Sequence, residues 1–225
     1  MSGTTTEAKR FSLSTLTNNL ELVIAILLGI VSIATAYASF QGALYGGLSD
    51  DSNNLAIAQS TEAESLYLEG NQQFMQDTQI FNDLSVLQVA INAGDPVAQE
   101  QYDQLYFQGV SEDFAGAIER AAAQTEADPD FFYSPLDDEE YQSVLFSPYA
   151  EKGEEAAATK KIADAQGAQG DLLTLYTVLM AIALFLLGVA ALVKERRTQY
   201  VLIGTGFVLS AFSIVLMLTI PFVGI

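Results

Sequence analysis

The 225 residues carry 28 acids against nine bases, a formal charge of −19, yet their mean hydropathy is positive. An acidic chain is ordinarily polar throughout, so the apolar residues must be gathered into runs. Cysteine, histidine and tryptophan are all absent, which excludes disulfides, thiolate and imidazole metal sites, and every nucleophile that relies on a histidine base.

In chain order, a short tail over residues 1–21 holds Lys9 and Arg10 and ends at Glu21. Leu22 to Phe40 follows without a single Asp, Glu, Lys or Arg. A helix of that length rises roughly 28 Å at about 1.5 Å per residue, close to the ~30 Å hydrocarbon thickness of a bilayer. Two more uncharged runs, residues 172–193 and 200–222, flank a basic turn over residues 194–199 that contains Lys194, Arg196 and Arg197. Together they predict an all-α integral membrane protein with three transmembrane helices. Ala36-Tyr37-Ala38 before Ser39 has the form of a signal-peptide cleavage site, but the apolar run exceeds the usual signal core of about 7–15 residues, so a retained anchor is expected.

Orientation follows the Lys and Arg of short loops beside the membrane. Residues 41–171 hold 25 of the 28 acids and only four bases, a net of −21. The basic tail and basic turn are therefore expected in the cytoplasm, and the acidic region and the C-terminal residues 223–225 outside, in a multi-pass protein of the cell membrane. Glu21 lies at the same expected depth as Lys194, Arg196 and Arg197, which makes an interfacial ion pair between them a candidate.

Within the outer region, Ala63, Tyr67, Gly70, Phe74, Phe81, Leu84 and Ile91 recur at steps of three, four and seven, the spacing of one helix face, with Asp77 and Gln88 interrupting it. A long helix is predicted from about residue 51 to 92, stopped at Gly94-Asp95-Pro96. Two shorter helices are predicted over about 96–108 and 111–126, the second capped by Ser111. An aromatic and acidic loop spans Asp128 to Glu140. From Pro148 an Ala/Glu/Lys-rich helix returns towards the second span, completing a helical stalk of coiled-coil type.

Ser65-Leu66-Tyr67 with Gln72-Gln73, Glu154-Glu155-Ala156-Ala157, Leu172-Leu173, and Lys194 to Arg197 with Tyr200 and Gly204 together resemble a family of small three-span bacterial membrane proteins of unknown function. The resemblance implies the architecture alone. The insertion over about residues 95–147 and the acidity depart from that pattern.

For chemistry, Asp128, Asp130, Asp137, Asp138, Glu139 and Glu140 are hard oxygen donors of the kind calcium takes, although the glycine and closing glutamate of an EF-hand are missing. No nucleophile elbow, phosphate loop or zinc motif is present, so no enzymatic activity and no nucleic-acid partner are expected. Ala25-x-x-x-Gly29, Ser32-x-x-x-Ala36 and Gly206-x-x-x-Ser210 place small residues one turn apart, which marks Gly29, Gly206 and Ser210 as candidate packing positions in lipid. The expected role is that of an assembly or accessory protein that forms a homo-oligomer or binds a membrane-protein partner. The alternative is an oligomeric cation channel beneath an acidic vestibule.

Overall fold

The computed structural model describes residues 20–224, and these contain helices and no strand. The elements are α1 (Leu20–Asn92), α2 (Ala98–Gly109), α3 (Glu112–Ala127), a 3-10 turn (Pro135–Asp137), α4 (Glu139–Leu192) and α5 (Arg196–Met217). The expected first span and the expected stalk helix are one element, because no proline interrupts the chain before Pro96. Helices α1, α4 and α5 each contain a stretch long and apolar enough to cross a membrane. The chain divides into two compact units, residues up to Ser52 with those from Lys161 onward, and Asn53–Lys160.

In the first unit, burial repeats every seventh residue, at Ile24, Val31, Ala38 and Tyr45 on α1 and at Leu173, Met180 and Leu187 on α4. That spacing holds one face of each helix against its neighbour. The closest approach is made by glycines. A Cβ placed on Gly42 would lie 3.4 Å from that of Leu173, and one on Gly170 would lie 3.4 Å from the Gly42 carbonyl oxygen. On α5 the buried positions are Gly206, Ser210, Ser213 and Met217, while Val208, Phe212 and Val215 point outward. The small and polar residues face in and the large apolar ones face out, the reverse of a water-soluble helix and the pattern that an apolar solvent selects.

Helix α5 stops at Met217, five residues short of the expected end at Phe222. Pro221 has no N–H to donate to the Met217 carbonyl and its ring would press on it. The chain then turns, and its backbone groups find partners on α1. The Gln41 amide donates to the Val223 carbonyl and accepts from the Val223 N–H, both at 3.0 Å, and the Tyr45 hydroxyl donates to the Pro221 carbonyl at 2.9 Å.

In the second unit, α1 and the first part of α4 run antiparallel. Gln59 donates to Glu155 at 2.7 Å, Lys152 bridges Glu62 and Glu155 at 3.0 Å each, and Tyr67 packs on Phe146 and Tyr149. Helix α1 ends in a turn where Gly94 takes φ of +87° and the Asp95 N–H donates to the Ala90 carbonyl, so the glycine supplies the left-handed residue that such an ending needs. Ser111 caps α3 as expected, accepting from the Phe114 N–H.

Helix α4 begins at Glu139 rather than at the expected Pro148, which lies inside it. Asp138 accepts from the Tyr141 N–H at 2.9 Å, and Glu139 and Glu140 occupy the positive first turn, so the local signals favour the earlier start. The expected loop is thereby shortened to residues 128–134 and the 3-10 turn. Phe114, Ala117 and Tyr141 form the core of this unit, with Phe74, Phe81, Ile118, Leu136 and Leu145 against them.

Candidate functional site

The loop after α3 folds over the start of α4 and encloses a cleft of about 650 Å³, lined by Arg120, Phe131, Phe132, Tyr133, Asp137, Asp138, Glu139 and Glu140 among others. Ser134 sets the loop's return, its hydroxyl accepting from the Leu136 N–H as Pro135 opens the 3-10 turn. Phe131 meets Tyr133 edge to face at 4.8 Å, yet Phe131 and Phe132 stay 59% and 68% exposed, a large apolar area left open beside carboxylates.

Arg120 sits at one side of this cleft. Its Nε and Nη2 donate to the two oxygens of Asp138 at 2.9 and 2.6 Å, and its Nη1 lies 3.3 Å from Glu140. The hydrogen bonds from Arg120 hold the Asp138 carboxyl below its ordinary range, and the same bonds push the guanidinium further up. One guanidinium is thus already matched to this acidic rim in the two-pronged geometry that carboxylates favour. Asp137 and Glu139 are exposed and take part in no ion pair among the described residues.

Of the six acids considered for calcium, the structure brings Asp137, Asp138, Glu139 and Glu140 to one cleft, while Asp128 and Asp130 lie exposed outside its lining. Among the described residues, no three acids converge in a way that would hold a metal ion. Asp138 faces Arg120 instead.

Of the packing candidates, Gly206 and Ser210 are buried within the chain: a Cβ on Gly206 would lie 3.0 Å from Leu187 Cγ, and the Ser210 hydroxyl bonds the Phe207 carbonyl. Gly29 is exposed and has nothing within 4 Å of a built Cβ. Glu21, Lys194, Arg196 and Arg197 are all exposed, and Glu21 forms no ion pair with the three bases among the described residues.

Sequence reasoning missed a second feature of this unit. Asp77, read as an interruption of an apolar stripe, is fully buried. It accepts from the Tyr141 hydroxyl at 2.7 Å and from the Gln73 amide at 3.1 Å to each oxygen. Burial first, and then the bond to Asp77, push the Tyr141 hydroxyl well above its ordinary range and keep it a donor. The partners lie 64 residues apart, and the one local signal was an acid placed at a stripe position. None of the protein-family models, curated proteins or solved structures compared with the chain matches it.

Proposed function

We propose that the chain is a multi-pass membrane assembly protein without enzymatic activity, whose outer unit docks a partner that presents lysine or arginine side chains. The cleft carries this reading. Exposed Phe131 and Phe132 lie beside Asp137 and Glu139, and a cation over an aromatic face gains about 0.5–2 kcal/mol beyond its attraction to carboxylates. The net charge of −21 over residues 41–171 would draw such a partner in. The basic turn and tail support placing this unit outside the cytoplasm.

The alternative of an oligomeric cation channel has less support. The hydroxyls of Thr35, Thr174, Thr177 and Ser213 each donate to a carbonyl one turn back on their own helix, so they offer less to a polar route.

The test is a titration of the detergent-purified protein with a fluorescent Arg/Gly peptide, followed by anisotropy at several salt concentrations. Saturable, salt-sensitive binding is expected, and Phe131→Ala combined with Phe132→Ala should weaken it by about tenfold, one step of ~1.4 kcal/mol, without changing net charge. Equal binding by the double variant would reduce the attraction to charge alone and overturn the cleft as the docking site.

A further inference from the structure

We propose that the outward face of α1 in the second unit is an interface with the same face of a second copy of this chain. It lies on the other side of α1 from Ala63, Gly70, Asp77 and Leu84, which are buried. Leu68, Met75, Val86 and Val89 are 64% to 69% exposed, an apolar series on a helix whose opposite face is already packed.

The series has a heptad order. Leu68, Met75, Asn82 and Val89 recur every seventh residue, and Gln72, Gln79 and Val86 form the second set four residues on. These are the two positions that meet in a helix pair, and amides among them fix register at some cost in strength. All seven are exposed.

Charge selects the occupant. From Leu68 to Val89 neither set contains a carboxylate, although the surrounding region is strongly acidic. A basic partner would be drawn to the acidic faces, whereas two copies of this chain can approach only where carboxylates are missing. Copies inserted in one membrane in one direction present this line in parallel, so a two-fold pairing sets Leu68 on Leu68 and Met75 on Met75. Glu64, one residue before Ser65 where the second set would continue, flanks the line and would oppose the pairing of two acidic copies. This surface is separate from the cleft, and rests only on both copies sharing a membrane orientation.

The absence of cysteine makes crosslinking a direct test in native membranes. Met75→Cys should oxidise to a disulfide-linked species of twice the 24.2 kDa chain mass, and Gln76→Cys, one position round the helix, should give far less. In native mass spectrometry, Leu68→Glu with Met75→Glu should shift the mass from two chains to one, and Glu64→Gln should raise the two-chain fraction. Equal crosslinking at 75 and 76, or a single-chain mass for the unaltered protein, would overturn the proposal. So would a Met75→Cys product of any other mass, which would assign the line to a different protein. Phe131→Ala with Phe132→Ala should leave the two-chain mass in place, so a failure of the cleft reading would not register here.

Discussion

The Tyr141 hydroxyl donates to the Asp77 carboxylate at 2.7 Å, and both side chains are buried to within 1% of completely. The bond ties the start of α4 to the distal part of α1 beneath the cleft loop. Tyr141→Phe keeps the ring packing against Phe114 and Phe74 but leaves Asp77 with the Gln73 amide alone. Loss of one donor to a buried acceptor should lower unfolding free energy by about 1–3 kcal/mol. Asp77→Ala should cost at least as much, and the double variant less than the two combined, the mark of direct coupling. Thermal unfolding followed by tyrosine fluorescence measures all three, and strict additivity would show that the bond contributes nothing.

The same burial has an alkaline consequence. A hydroxyl raised above its unfolded value of 10.0 contributes stability below that pH and loses it as pH rises past it. In a spectrophotometric titration of tyrosinate, Tyr141 should stay protonated well above pH 10.0 and should ionise only with unfolding. Tyr141→Phe should remove that late step. A titration curve unchanged by the substitution would contradict the assignment.

At the acid end the sign reverses. Arg120 holds the Asp138 carboxyl below its ordinary value of 3.8, so the pair stabilises the fold above that pH, and the contribution is lost as pH falls through the depressed value. Asp138→Asn can still accept from the Tyr141 N–H and so keeps the helix cap, while losing the charge that Arg120 faces. The variant should be less stable at pH 7 and converge on the parent below about pH 4, near the ordinary carboxylate range. A constant difference across that range would assign the loss to the cap instead.

The uncharged runs made the three long apolar helices legible, because an absence of charge over about 20 residues leaves a run long enough to cross a bilayer. Ser111 and Gly94 were legible for a related reason: caps and turns are local, and their residue types name them. The start of α4 was misread because Pro148 is a good first residue of a helix, and nothing in sequence distance showed that Tyr141 would be drawn into a core with Phe114. Asp77 looked like a break in a stripe for the same reason. Gly42 and Gly170, which bring α1 and α4 together, gave no pairing signal because they lie more than a hundred residues apart in the chain.

Two glycines of α1 should respond oppositely to alanine. A Cβ on Gly70 would lie 2.5 Å from the Leu145 carbonyl oxygen, a backbone atom that can move only if the helices part, so Gly70→Ala should destabilise by about 1–3 kcal/mol. Gly29 has open space around it, and Gly29→Ala should leave stability unchanged or raise it by up to about 1 kcal/mol through helix propensity. Similar losses in both variants would show that glycine flexibility, and not close approach, is what these positions supply.

The orientation reading is tested by single cysteines in a chain that has none of its own. Gln108 lies in the last turn of α2 in the acidic unit, Thr198 lies beside Arg196 and Arg197, and Gly224 follows the third apolar helix; all three are exposed. If lysine and arginine keep the tail and the turn inside, an odd number of crossings places residues 41–171 and the C-terminus together on the far side. An impermeant thiol reagent on intact cells should then label Gln108→Cys and Gly224→Cys and spare Thr198→Cys, which should label once the membrane is opened with detergent. Thr198→Cys labelled on intact cells would invert the protein. Gln108→Cys labelled with Gly224→Cys protected would mean an odd number of crossings between them, and so one apolar helix of α4 and α5 that does not span.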